Sequence, residues 1–107
     1  MSVQIENQRN TVLEREVSKL APPPMYRVIL LNDDYTPMEF VVNVLQRIFD
    51  KSADEAERLM LRVHYEGSAV CGIYTRDIAA SKVEIVRQVA QARQHPLQCV
   101  MEPTPET

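Results

Sequence analysis

Three consecutive prolines, Pro22-Pro23-Pro24, constrain this chain more than any other feature. Each ring fixes φ and removes a backbone donor, so neither a helix interior nor a central strand passes through them. They read as a semi-rigid spacer. Beyond them lie roughly 78 residues, 25–102, near the lower practical limit for a single hydrophobic core. The 107-residue chain is thus expected to hold one domain, with residues 1–24 as a flexible extension and linker and 103–107 as a short tail. Leu13, Val17 and Leu20 are spaced for a short amphipathic helix in the extension, which is marginal alone.

Glycine is scarce. Gly67 and Gly72 are the only two, and they cannot build a phosphate-cradling loop or a dinucleotide fingerprint. Twelve basic side chains against fifteen acidic ones give a net charge of −3. That balance lacks the cationic excess needed to bind a phosphate backbone, so no nucleic-acid partner is expected. No apolar run approaches the roughly 18 residues that span a bilayer. The opening residues lack the basic and apolar regions of a signal peptide, so the expectation is a cytoplasmic protein with no membrane partner. Cys71 and Cys99 sit in apolar runs without a CxxC spacing. They read as small buried hydrophobes, and pairing would require the fold to bring their segments together. No cofactor is expected.

The core alternates its elements legibly. Tyr26–Leu31 is rich in β-formers and ends in Asn32-Asp33-Asp34, which favour Asx-turns. Thr36 as N-cap, Pro37 at the first helical position and Glu39 closing a capping box predict a helix start. Its apolar face repeats through Phe40, Val41, Val44, Leu45, Ile48 and Phe49. Ser52 and Glu55 form a second capping box, for a helix stopped by Gly67. A strand over 68–74 follows, with Gly72 marking a bulge or close approach. Thr75 caps a third helix with Ile78, Ala79, Val83, Val86, Val89 and Ala90 on one face, and 97–101 forms the last strand. The expected fold is α+β: β-α-α-β-α-β, with the helices on one face of a three-stranded antiparallel sheet. Strand order is left open.

Three polar or flexible features carry possible chemistry. Asn32-Asp33-Asp34 concentrates acceptors at the end of an apolar strand, suiting a cation or an ammonium group; it is equally a polar turn. His64 near the end of the second helix is either a potential acceptor or an ordinary helix-end residue. Met38 and Met60, with Val41 and Val63, are flexible apolar side chains on the first two helices, suited to a binding surface or to core filling. If the turn after strand one meets the end of helix two, Asn32, Asp34 and His64 rim a pocket floored by methionine and valine. Such a pocket fits a primary amine attached to an apolar side chain.

Residues 26–41, Tyr-Arg-Val-Ile-Leu-Leu-Asn-Asp-Asp-Tyr-Thr-Pro-Met-Glu-Phe-Val, closely resemble the ClpS family of bacterial protease adaptors. Leu59-Met-Leu-Arg-Val-His64, Cys71-Gly72 and His95-Pro96-Leu97 extend the resemblance over residues 25–101. It implies a non-catalytic adaptor that binds proteins beginning with Leu, Phe, Tyr or Trp and delivers them to the ClpA–ClpP protease. By that resemblance Asn32, Asp34 and His64 bind the substrate's α-amino group, and Asp33 helps hold its next backbone unit. Leu30, Thr36, Met38, Val41, Met60, Val63 and Leu97 would line the side-chain pocket, with Met38 rejecting β-branched residues. Asp77 and Lys82 would dock on the N-terminal domain of a ClpA-type unfoldase, the adaptor being a monomer. Asp77 stands where a close relative would carry Glu.

An enzyme is the competing class. A metal hydrolase built on Asp33, Asp34 and His64 would have a single histidine and no evident partners to orient its ligands. A Cys–His system would need a thiol at an exposed helix N-terminus, and neither cysteine has that setting. A bare assembly module is a third reading, distinguished by indifference to peptide N-termini.

Overall fold

The computed structural model describes residues 22–105. Readings that concern residues 1–21 lie outside the described residues. β1 (Met25–Leu31), α1 (Met38–Arg47), α2 (Ala53–Glu66), β2 (Ser68–Thr75), α3 (Arg76–Ala92) and β3 (Gln98–Pro103) follow in the expected β-α-α-β-α-β order. Among the described residues no helix is long and apolar enough to cross a membrane.

The sheet order is β2-β1-β3, with β1 antiparallel to both neighbours. The most apolar strand therefore occupies the centre. Period-two alternation turns Val28 and Leu30 to one face, where both are fully buried. Their cross-strand partners Ala69, Cys99 and Met101 share that face, against the helices. Ile29, opposite Val70 and Val100, points to the other face, and both valines stay about 40% exposed. Pairing shifts between Val28 and Ile29, which oppose Gly72 and Val70, so Cys71 is the extra residue of a β-bulge. Gly72 also permits a close approach: a Cβ there would collide with the Tyr74 hydroxyl. The two cysteines lie on the outer strands with β1 between them, and both are free.

α2 forms as its ends dictate. The Ser52 hydroxyl accepts from the Glu55 amide at 3.2 Å, and Gly67 stops the helix at φ 94°, a conformation that costs other residues a clash with Cβ. α1 stops earlier than its apolar pattern suggests. Ile48 is its C-cap and Asp50 turns the chain at φ 56°, while Phe49 still packs into the core. On α3 the buried face is narrower than expected. Ala79, Val86 and Ala90 are buried, but Ile78 is 50% exposed and Val89 36%. Two alanines let the helix sit close to the sheet and leave the larger flanking side chains outside. Thr75 holds the N-cap position of α3 but its side chain makes no capping bond. β3 begins one residue later than expected and continues through Pro103, and the Thr104 amide donates to the Met25 carbonyl at 2.8 Å. Pro103 is tolerated because β3 is an edge strand.

Candidate functional site

Antiparallel pairing brings the site together. Ser68, directly after the Gly67 stop of α2, pairs with Leu31 at the end of β1. The last turn of α2 is thereby held beside the residues that leave β1. The Asn32 amide seals the junction by donating to the Gly67 carbonyl at 2.9 Å.

The segment from Asn32 to Thr36 is then fixed by one carboxylate. Asp33 Oδ1 accepts from the amides of Tyr35 at 2.8 Å and Thr36 at 2.7 Å, and Oδ2 accepts from the Thr36 hydroxyl at 2.7 Å. This is the Asx-turn that the Asn-Asp-Asp sequence favours. It also corrects the reading of Thr36 as N-cap. Pro37 takes the cap position of α1, accepting from the amides of Phe40 and Val41 through its carbonyl. The Thr36 hydroxyl is drawn to a charged acceptor, which makes a stronger bond than capping an amide would.

Burial alone would raise the pKa of Asp33. The bonds from the Thr36 hydroxyl and the two amides outweigh burial and hold it below the ordinary value of 3.8. A carboxyl depressed in the folded state contributes stability above its unfolded pKa and loses it as pH falls through the folded one. Melting temperatures of the wild type and Asp33→Asn are therefore expected to differ at neutral pH and to draw together as pH falls below 3.8. A gap independent of pH would refute this account of the turn.

Beside the turn lies a cavity of about 400 Å³, lined by every residue from Asn32 to Met38 and by Val41, Met60, Val63 and His64. Met38 and Val41 share one face of the first turn of α1; Met60, Val63 and His64 share one face of α2. The lining thus combines the amide of Asn32, the carboxylate of Asp34 and the imidazole of His64 with two methionines and two valines. Asn32, Asp34 and His64 are solvent-exposed, while Val41, Met60 and Val63 are buried. Such a hollow holds a cationic head on an apolar body.

Two expected pocket walls stand elsewhere. Leu30 is fully buried and Leu97 6% exposed; neither lines the cavity. Leu30 points to the helix-covered side of the central strand, and both belong to the core cluster. Asp77 and Lys82 are on α3, away from the cavity. Asp77 is exposed, whereas the Lys82 ammonium donates to the Ile48 carbonyl at 2.6 Å and lies 5.6 Å from the Tyr74 ring centre. Tyr35 and Pro37, part of the polar string but given no binding role by the sequence, also line the cavity. The signal for them was their place inside the polar string, since a tight turn presents successive side chains to one space.

Burial pushes the Cys71 thiol up to about 11 and the Cys99 thiol to about 12. Thiols held protonated in this way are poor nucleophiles. Among the described residues, no cluster of three His, Cys, Asp or Glu side chains is arranged to hold a metal ion.

The family model described as ATP-dependent Clp protease adaptor protein ClpS matches residues 21–100. The chain belongs to the ClpS family. Its relatives include the ATP-dependent Clp protease adapter protein ClpS of Paraburkholderia phymatum, 57% identical over 102 residues, which are 95% of this chain and 98% of that one. The ClpS of Ralstonia nicotianae is 61% identical over 97 residues, 91% of this chain and 90% of its own. Among solved structures, Agrobacterium tumefaciens ClpS2 bound to L-phenylalaninamide superposes with a TM-score of 0.76 at 42% identity, covering 78% of this chain and all of that one. ClpS proteins carry the name of adaptors, a binding role and not a catalytic one.

Proposed function

We propose that this chain binds proteins through a free N-terminal amine and a bulky apolar first side chain, Leu, Phe, Tyr or Trp, and delivers them to a ClpA-type unfoldase of the Clp protease. The observation that carries the reading is the mixed lining of one cavity, the acceptors of Asn32, Asp34 and His64 together with two methionines and two valines. Asn32, Asp34 and His64 accept from the ammonium, and His64 does so in its neutral form. Asp33 holds the turn in shape and adds negative charge beside the next backbone unit. Thr36, Met38, Val41, Met60 and Val63 surround the first side chain, with Met38 excluding β-branched residues. Leu30 and Leu97 support that pocket from the core. L-Phenylalaninamide, the molecule bound to the related ClpS2, supports the reading: it carries a free amine, a benzyl side chain and an amide where a peptide would continue.

The energetics fit an adaptor that must release its cargo. An α-amino group with a pKa of about 7.7–8.0 is largely charged at neutral pH and needs acceptors once desolvated. Burying a Leu or Phe side chain contributes about 1.5–3 kcal/mol. Bonds to the ammonium add about 1.5–3 kcal/mol each. Association entropy of at least about 4 kcal/mol opposes both, so affinity nearer micromolar than picomolar is expected. Docking on the unfoldase falls to α3, with Asp77 exposed and Lys82 first releasing the Ile48 carbonyl. The adaptor acts as a cytoplasmic monomer in this reading.

Fluorescence anisotropy with labelled peptides that differ only in residue one tests the proposal. Phe- and Leu-leading peptides are expected to bind, and a Gly-leading peptide to bind at least tenfold more weakly, given the apolar burial it forgoes. Equal binding of all three would overturn it.

A further inference from the structure

Four of the five methionines lie among the described residues, and their settings differ sharply. Met60 is 9% exposed and Met101 half-buried, whereas Met25 is 38% and Met38 43% exposed. Met25 lies on β1, away from the cavity. Met38 lines the cavity beside the Asx-turn and also a second hollow of about 400 Å³ between α1 and α2, shared with Val42, Asn43, Gln46 and Glu57. Met38 and Met60 are the two side chains common to both hollows. Met38 is thus a wall with open space on either flank, and Met60 is its shielded counterpart. Exposure is what governs the reactivity of a thioether toward oxidants.

We propose that Met38 is an oxidative modification site, at which conversion of the thioether to the sulfoxide by a hydroperoxide switches off recognition of apolar first residues. The inference rests on the adaptor reading and deepens it. A sulfur lone pair attacks one peroxide oxygen, the S–O bond forms, the O–O bond breaks, and the proton of the transferred oxygen passes to the departing hydroxide. Sulfur loses two electrons, and hydrogen peroxide is reduced to water. The product is a dipolar acceptor without a donor. It enters a cavity that an apolar substrate side chain has to fill, so the sulfoxide oxygen loses its water when that side chain binds, and the lost hydration weighs against binding. Sulfoxides are returned to thioethers by methionine sulfoxide reductases, which makes the change a reversible switch.

The test treats the full chain with hydrogen peroxide, maps each methionine by mass spectrometry, and measures affinity for a labelled Phe-leading peptide by anisotropy. Met38 is expected to oxidise ahead of Met60, with about a tenfold or greater loss of affinity that the reductases restore. In Met38→Leu, compared with itself before and after treatment, the ratio of affinities is expected to stay near one, and in Met25→Leu the loss is expected to persist. Unchanged affinity in protein oxidised at Met38 would overturn the inference. So would an equal loss in treated Met38→Leu, or a loss that accompanies unfolding in circular dichroism. Untreated protein that fails to bind the Phe-leading peptide would instead sink the adaptor reading itself.

Discussion

Replacing Leu30 by alanine is expected to lower the unfolding free energy by about 2–5 kcal/mol, a large share of the roughly 5–15 kcal/mol that holds a small domain together. Leu30 is fully buried on the central strand, on the face that also carries Ala69 and Cys99 beneath the helices. Both neighbouring strands are hydrogen-bonded to β1, so the backbone cannot close over a lost isobutyl group, and a cavity remains. In urea the midpoint should fall with little change in slope. At about 4–8 °C per kcal/mol, the melting temperature should drop by roughly 10 °C or more. The same variant separates core from pocket. At a temperature where it stays folded, its affinity for a Phe-leading peptide should change by less than about threefold, a shift under 1 kcal/mol. Wild-type stability with lost binding would return Leu30 to the pocket wall and refute its place in the core.

Acetylating the first residue of a Phe-leading peptide is expected to weaken binding by about a hundredfold or more. In the proposed binding mode the ammonium offers three donors and a full charge to Asn32, Asp34 and His64, whereas the acetamide retains one donor and no charge. Loss of two charge-assisted bonds at about 1.5–3 kcal/mol each corresponds to at least two powers of ten. The acetyl group also adds bulk where Asp33 has already fixed the turn at both Tyr35 and Thr36. Asn32→Ala and His64→Ala should each cost about tenfold without lowering the melting temperature appreciably, because both side chains are exposed. Equal anisotropy curves for free and acetylated peptides would reduce the cavity to a hydrophobic socket and remove the adaptor assignment.

How much of this was legible follows from the range of each interaction. The ends of α2 were readable because Ser52, Glu55 and Gly67 mark them by contacts within a few residues. The meeting of Asn32 with His64 was readable as a condition, since a helix stopped at Gly67 and followed at once by a strand must return along β1 or leave it. Pairing of Leu31 with Ser68 met that condition. Thr36 misled because one hydroxyl faced two local partners, and the carboxylate three residues upstream won over the helix end. Leu30 and Leu97 misled for a different reason. Alternation identifies apolar positions but not which of them border a hollow, which depends on how helices from distant sequence settle on the sheet. The order β2-β1-β3 was likewise hidden, because a helix separates β2 from β3 and short-range chemistry does not choose an edge.

The central position of β1 has a mechanical consequence. The chain enters the domain from Pro24 straight into Met25, the first residue of the strand that is laddered on both sides, and the Asn32–Asp34 turn leaves from the strand's other end. Traction on the segment before Pro22 would load both ladders in shear, so their bonds would have to yield together and not one after another. A partner that grips this end is expected to meet its stiffest resistance before the force reaches the Asn32–Asp34 turn.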